Sequence, residues 1–111
     1  MTYQVRLLKE AQKDLAAIHA YVRTSFGSET AARVYSEIRN AIFVLKDNPR
    51  LGAPVSELLP LGMLQYRHMV VQKQNKVLYE IDEPGQTVYI HIICSTRQDY
   101  ATVLYERLLR V

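Results

Sequence analysis

The chain has 111 residues, 49% of them apolar, and carries 14 lysines and arginines against 11 acids for a formal charge of +3. That length suits one domain spanning residues 1–111, since two halves would each lack a core, and the apolar fraction excludes general disorder. No run nears the roughly 20 apolar residues of a membrane span. The charged opening MTYQVRLLKEAQKDL has no signal-peptide core, and the lone Cys94 fits a reducing cytoplasm without an internal disulfide. Basic residues are dispersed, eight with six acids in residues 1–63 and six with five acids in 64–111. Charge alone therefore argues only weakly for a polyanionic partner, and folding would have to gather Arg67, Lys73, Lys76 and Arg97.

In chain order, TYQVRLL alternates apolar and polar residues at Tyr3, Val5 and Leu7, which predicts a strand. From Lys9 to Ser25, Ala11, Leu15, Ile18 and Val22 recur at helical spacing. Gly27 is placed to end that helix in a left-handed cap, and Ser28 to cap the next, with Glu29 favourable to its dipole. The second helix is expected from Glu29 to Asp47 on a stripe of Val34, Ile38, Ala41, Ile42 and Leu45, and Asn48-Pro49 stops it. Two long amphipathic helices with so short a joint form an antiparallel hairpin over a shared apolar seam. The run RLGAPVSELLPLG is rich in turn formers. Three strands follow, Leu64–Gln72, Lys76–Asp82 and Thr87–Ser95, joined by the short loops QKQN and EPGQ. A last helix from Tyr100 to Arg110 presents Ala101, Leu104, Tyr105 and Leu108 on its apolar side.

The order β-α-α-β-β-β-α predicts an α+β fold. A strand is not stable alone, so the first joins the meander in an antiparallel sheet, and the N-terminal helical hairpin packs on one face. The reverse face is expected to be partly open, with the last helix beside it. A regular pleat in the last strand puts Val88, Ile90, Ile92 and Cys94 in the core. It puts Tyr89, His91, Ile93, Ser95 and Arg97 on a half-polar groove.

This order, with the segments KDNPRLGAP, YRHMVV, VLYEID and STRQDY, resembles the RelE/ParE superfamily of bacterial toxins, the toxin halves of type II toxin–antitoxin modules. The likeness runs from Tyr3 to about Leu109. It implies growth arrest by the free toxin, a co-encoded cognate antitoxin that wraps and neutralises it, assembly into larger toxin–antitoxin hetero-oligomers, and no cofactor. ParE-like members poison DNA gyrase, whereas RelE-like members cleave messenger RNA on the ribosome. The long helical hairpin and the NPRLG ending look more like the ParE branch, so a gyrase inhibitor is the narrower expectation. A ribosome-dependent mRNA endoribonuclease is one alternative, and an inactive antitoxin-binding module another. Arg97 matches the arginine that ends the last strand in the family, and Arg67 an arginine common on strand two. Tyr100 arrives sooner than the tyrosine of the RelE pattern, and Val103 lies nearer its place.

RNA cleavage by attack of its own 2′-hydroxyl needs a base, a proton donor and positive charge near the phosphate. Arg97 and Arg67 would supply the charge, Tyr100 or Tyr79 a ring or a proton, and His91 or His68 a titration near neutrality. The catalytic candidates under a nuclease reading are Arg97, Arg67 and Tyr100. The binding candidates are Arg67, Lys76, Tyr79, His91, Arg97 and Tyr100, with Leu104 and Leu108 as apolar surface for an antitoxin helix. Structural roles compete for each: sheet packing for Tyr79, His68 and His91, capping contacts for Tyr100, a salt bridge to Asp99 for Arg97. Cys94 reads as inert core, and no spacing of histidine and cysteine suggests a metal.

Overall fold

The apolar stripes of residues 9–45 close on one another and on one face of a five-stranded sheet in the computed structural model, which describes residues 2–109. The elements are β1 (Gln4–Leu7), α1 (Lys9–Phe26), α2 (Ser28–Val44), β2 (Ala53–Pro54), β3 (Tyr66–Val71), β4 (Asn75–Asp82), β5 (Thr87–Ser95) and α3 (Tyr100–Leu104). A 3₁₀ turn covers Leu59–Leu61, and α3 continues as a π-helical turn over Tyr105–Leu109. The expected end of the last helix, Arg110, lies outside the described residues. Gly27, at φ 96°, joins the two long helices: its N–H donates to the Arg23 carbonyl and its own carbonyl accepts from Ala31. That geometry favours glycine. Gly27 occupies the cap position itself, so Ser28 begins α2 instead of capping it.

The sheet order is β1-β5-β4-β3-β2. Strands β2 to β5 are antiparallel, but β1 lies parallel to β5, with Val5 opposite Val88. The sheet is therefore mixed, where an antiparallel one was expected. A parallel neighbour needs a long crossover, and the helical hairpin with the meander provides it. Between hairpin and sheet lies the larger core, where Leu15, Val34, Ile38 and Leu45 meet Val77, Tyr79, Ile90 and Ile93.

The reverse face is covered, contrary to expectation. Val55, Leu58, Tyr66, Leu78, Ile92, Cys94 and Leu104 form a second core, with Tyr100, Val103, Leu108 and Leu109 packed against it. Leu104 is 2% exposed. Leu104 and Leu108 thus serve the protein's own core and are not free apolar surface. The C-terminal helix lies on the sheet because this face, too, is apolar and has to be buried.

A bulge in β5 makes both cores possible. Pairing steps from Leu78–Ile92 to Tyr79–Ile90, which leaves His91 as the extra residue. Side-chain parity flips there. Val88, Ile90 and Ile93 face the hairpin, while Ile92 and Cys94 face the C-terminal helix. The regular pleat expected for this strand does not hold, and Ile93 leaves the half-polar groove for the main core. The bulge also frees backbone groups that must find partners. The Ile93 N–H donates to Asp14 Oδ2 at 3.0 Å, and the His91 carbonyl accepts from Arg107 Nη2 at 2.8 Å. Arg107 closes the arrangement with two 3.0 Å bonds to the Asp14 carboxylate, tying α1, β5 and the C-terminal turn together.

Candidate functional site

The sheet separates the residues expected to work together. Arg67 and Tyr79 are register partners on β3 and β4, and they face the hairpin side. Tyr79 is fully buried, and its hydroxyl accepts the Gly52 N–H at 2.8 Å. Burial, ahead of every other influence, pushes that hydroxyl's pKa up. Arg67 Nη1 donates to the Gly52 carbonyl at 2.6 Å and to the Arg50 carbonyl at 3.4 Å. Together the two side chains hold the loop after α2 against the sheet. Tyr79 is a packing residue with no surface to offer a target, and Arg67 is occupied as a loop anchor.

On the opposite face, β3, β4 and α3 bring His68, Lys76 and Tyr100 together. The Tyr100 hydroxyl and His68 Nδ1 are 2.8 Å apart, and Lys76 Nζ sits 3.8 Å from the centre of the Tyr100 ring. The phenol can donate to an unprotonated Nδ1 or accept from an Nδ1–H, so the tautomer of His68 sets the direction of this bond. Burial first, then the Lys76 charge, pushes the His68 pKa down. Burial first, then Cys94 and Glu57, pushes the Tyr100 hydroxyl up and holds its proton in place. His91 is bound elsewhere: its Nε2 meets Glu80 Oε1 at 2.8 Å and its ring stands edge-on to Tyr66.

Arg97 lies on the exposed turn between β5 and α3, where its backbone N–H donates to Ser95 Oγ at 3.1 Å. The expected bridge to Asp99 does not form. Asp99 caps α3 instead, accepting from the Thr102 N–H at 3.4 Å and the Thr102 hydroxyl at 3.0 Å. The structure thus unites Tyr100, Lys76 and His68, leaves Arg97 at the neighbouring turn, and sends Arg67 and Tyr79 to the other side. Among the described residues, no pair of arginines brackets a phosphate position beside Tyr100.

A second feature escaped the sequence reading. Between edge strand β1 and the helical hairpin runs a groove of about 980 Å³, floored by Leu7, Leu15 and Ile42. Among the described residues, Arg6, Arg39 and Lys46 are its charged lining, and no carboxylate lines it. Arg39 lies over the Tyr35 ring and Lys46 over the Phe43 ring. A signal was present: Tyr35, Arg39, Ile42 and Lys46 recur at i, i+4, i+7 and i+11 beside the core stripe of α2. Among the described residues, no helix is long and apolar enough to cross a membrane.

A helical hairpin on one face of this mixed sheet, with a short C-terminal helix on the other, is the architecture of the RelE/ParE superfamily toxins. The ParDE toxin–antitoxin structure from P. aeruginosa superposes at a TM-score of 0.68 with 18% identity, covering 85% of this chain and 96% of that one. The RelBE2 toxin–antitoxin complex of Mycobacterium tuberculosis gives 0.64 and 21%, covering 88% and 95%. A variant of E. coli RelE in the free state gives 0.67 and 12%, covering 98% and 96%. No curated protein matches the sequence. Residues 5–100 match the family model of the ParE toxin of the type II toxin–antitoxin system parDE. The chain belongs to that family and is a toxin of a type II toxin–antitoxin system.

Proposed function

We propose that this toxin arrests growth by binding DNA gyrase, without cutting RNA, and that a cognate antitoxin neutralises it. The observation that carries the reading is that the sheet holds Arg67 and the buried Tyr79 on the face opposite Tyr100 and His68. A nuclease needs base, acid and phosphate-stabilising charge around one scissile bond. Here Arg67 is spent on the Gly52 carbonyl on one face, while Tyr100, on the other, keeps a proton that burial holds. A binding poison has no such requirement, and the ParE family match agrees with it.

The groove beside β1 suits the antitoxin. An amphipathic segment with carboxylates along its edge would bury apolar side chains on Leu7, Leu15 and Ile42 and meet Arg6, Arg39 and Lys46. The ParDE and RelBE2 relatives are both toxin–antitoxin structures. The clustering of His68, Tyr100 and Lys76 favours a second reading, a ribosome-dependent endoribonuclease.

Induction of the chain without its antitoxin distinguishes these readings. Filamentous arrest with a DNA-damage response and uncut transcripts on primer extension is expected. Transcripts cut within codons would replace the first reading with the second, and normal growth would reduce the chain to an inactive antitoxin-binding module. Co-expression of the antitoxin should restore growth, and the Arg39→Glu, Lys46→Glu double variant should resist that rescue while staying toxic.

A further inference from the structure

At one end of the sheet two turns are stitched together. The β3–β4 turn holds Gln72 and Lys73 at φ 52° and 62°, a left-handed conformation that costs energy in residues other than glycine. The turn after β5 reaches across to it: the Thr96 N–H donates to the Gln74 carbonyl at 2.9 Å, and Thr96 Oγ1 donates to the Lys73 carbonyl at 3.1 Å. Ser95 Oγ and Gln98 Oε1 fix the rest of that turn. Three cations surround the joint: Lys73 in the first turn, Arg97 next to Thr96, and Lys76 on β4 opposite Cys94. Among the described residues none of the three makes an ion pair. Two carboxylates lie near, Asp99, committed to Thr102, and Glu57, which faces His68 and Tyr100.

We propose that this stitched tip, Lys73, Lys76 and Arg97, is a contact surface for the phosphate backbone of duplex DNA. Cations on two clamped turns and the adjoining strand suit a polyanion, because little loop freedom is left to lose on binding. The surroundings of the tip distinguish duplex from single strand. Recognition of unpaired bases uses exposed aromatic faces. The one ring at this tip, Tyr100, is covered by Lys76 and tethered to His68, so phosphates are what the tip has to grip. Backbone contacts position a protein on a duplex without reading sequence. The inference deepens the gyrase reading, since gyrase is an enzyme that holds duplex DNA, and it places the toxin's own tip against that DNA.

The test uses the purified full chain and a labelled 20-base-pair duplex, followed by fluorescence anisotropy across a salt series. Three phosphate contacts give a log–log slope of about −2.7, so affinity falls roughly 40-fold between about 50 and about 200 mM salt. Lys73→Gln, Lys76→Gln and Arg97→Gln should each reduce the slope by about 0.9, and Arg23→Gln, on the exposed last turn of α1, should leave it unchanged. Thr96→Val keeps every charge but removes the hydroxyl stitches, and should weaken binding several-fold with circular dichroism unaltered. A slope indifferent to the three substitutions overturns the proposal, as does a single strand of equal length that binds as tightly as the duplex. Duplex binding is measured without gyrase, so it can succeed or fail independently of the target assignment.

Discussion

Removing the guanidinium of Arg107 tests how the C-terminal helix is held. The side chain makes two 3.0 Å bonds to Asp14 and a 2.8 Å bond to the His91 carbonyl freed by the bulge. The two side chains are 24% and 19% exposed, between the surface and interior limits. Exposed pairs are worth ~0–1 kcal/mol and stranding one partner of a buried pair costs ~3–5 kcal/mol, so Arg107→Met should cost about 2 kcal/mol. With an unfolding entropy of about 2.1 cal/mol/K per residue, a chain of this length has about 0.23 kcal/mol/K in all, and Tm should fall by about 9 °C. Asp14→Asn in the same chain removes the stranded carboxylate yet still accepts the Ile93 N–H. The double variant should therefore lose clearly less than the sum of the single losses. Thermal and urea melts followed by circular dichroism measure both effects. A fall of under about 2 °C for Arg107→Met, or strictly additive losses, would refute the clamp.

Gly52→Ala tests the loop anchor: an added Cβ would stand 2.6 Å from the His68 carbonyl oxygen and 2.8 Å from the Tyr79 hydroxyl. The crowding should cost about 1–3 kcal/mol, read as a lower urea midpoint at constant m, and an unchanged midpoint would contradict the close approach. His68 sets a pH window. Its folded pKa lies below the ordinary value, so the unfolded chain takes up the proton first, near pH ~6.5. Stability should be full above that point, fall on acidification, and level off below the folded pKa. His68→Gln should flatten this part of the profile, the fall that begins near pH ~6.5 on acidification, and an identical slope in the variant would dismiss the assignment. Arg97→Ala should lower toxicity at equal abundance while leaving antitoxin binding intact, and a fully toxic variant would show the arginine to be a bystander.

The long elements were legible because their signals are redundant. Val34, Ile38 and Leu45 repeat at one helical period, and Gly27 and Pro49 mark the ends. The bulge at His91 was hidden by the run Ile92-Ile93-Cys94: with three buried apolar residues in succession, either parity looks acceptable. That ambiguity sent Ile92 and Ile93 to the wrong faces and made the reverse side appear open. The direction of β1 was equally invisible, since Tyr3, Val5 and Leu7 alternate alike in parallel and antiparallel edges. The roles of Arg67 and Tyr79 depend on the Gly52 backbone, which approaches them only through tertiary packing. The Tyr100–His68–Lys76 cluster joins three elements, and no sequence spacing encodes such a meeting.

The most direct test of the gyrase assignment is a supercoiling reaction with purified gyrase, relaxed plasmid and the purified toxin. Supercoiling should be lost at toxin concentrations near those of the enzyme, with cleaved plasmid accumulating and antitoxin reversing the effect. Undiminished supercoiling in large toxin excess, from a preparation that still halts growth, would contradict it.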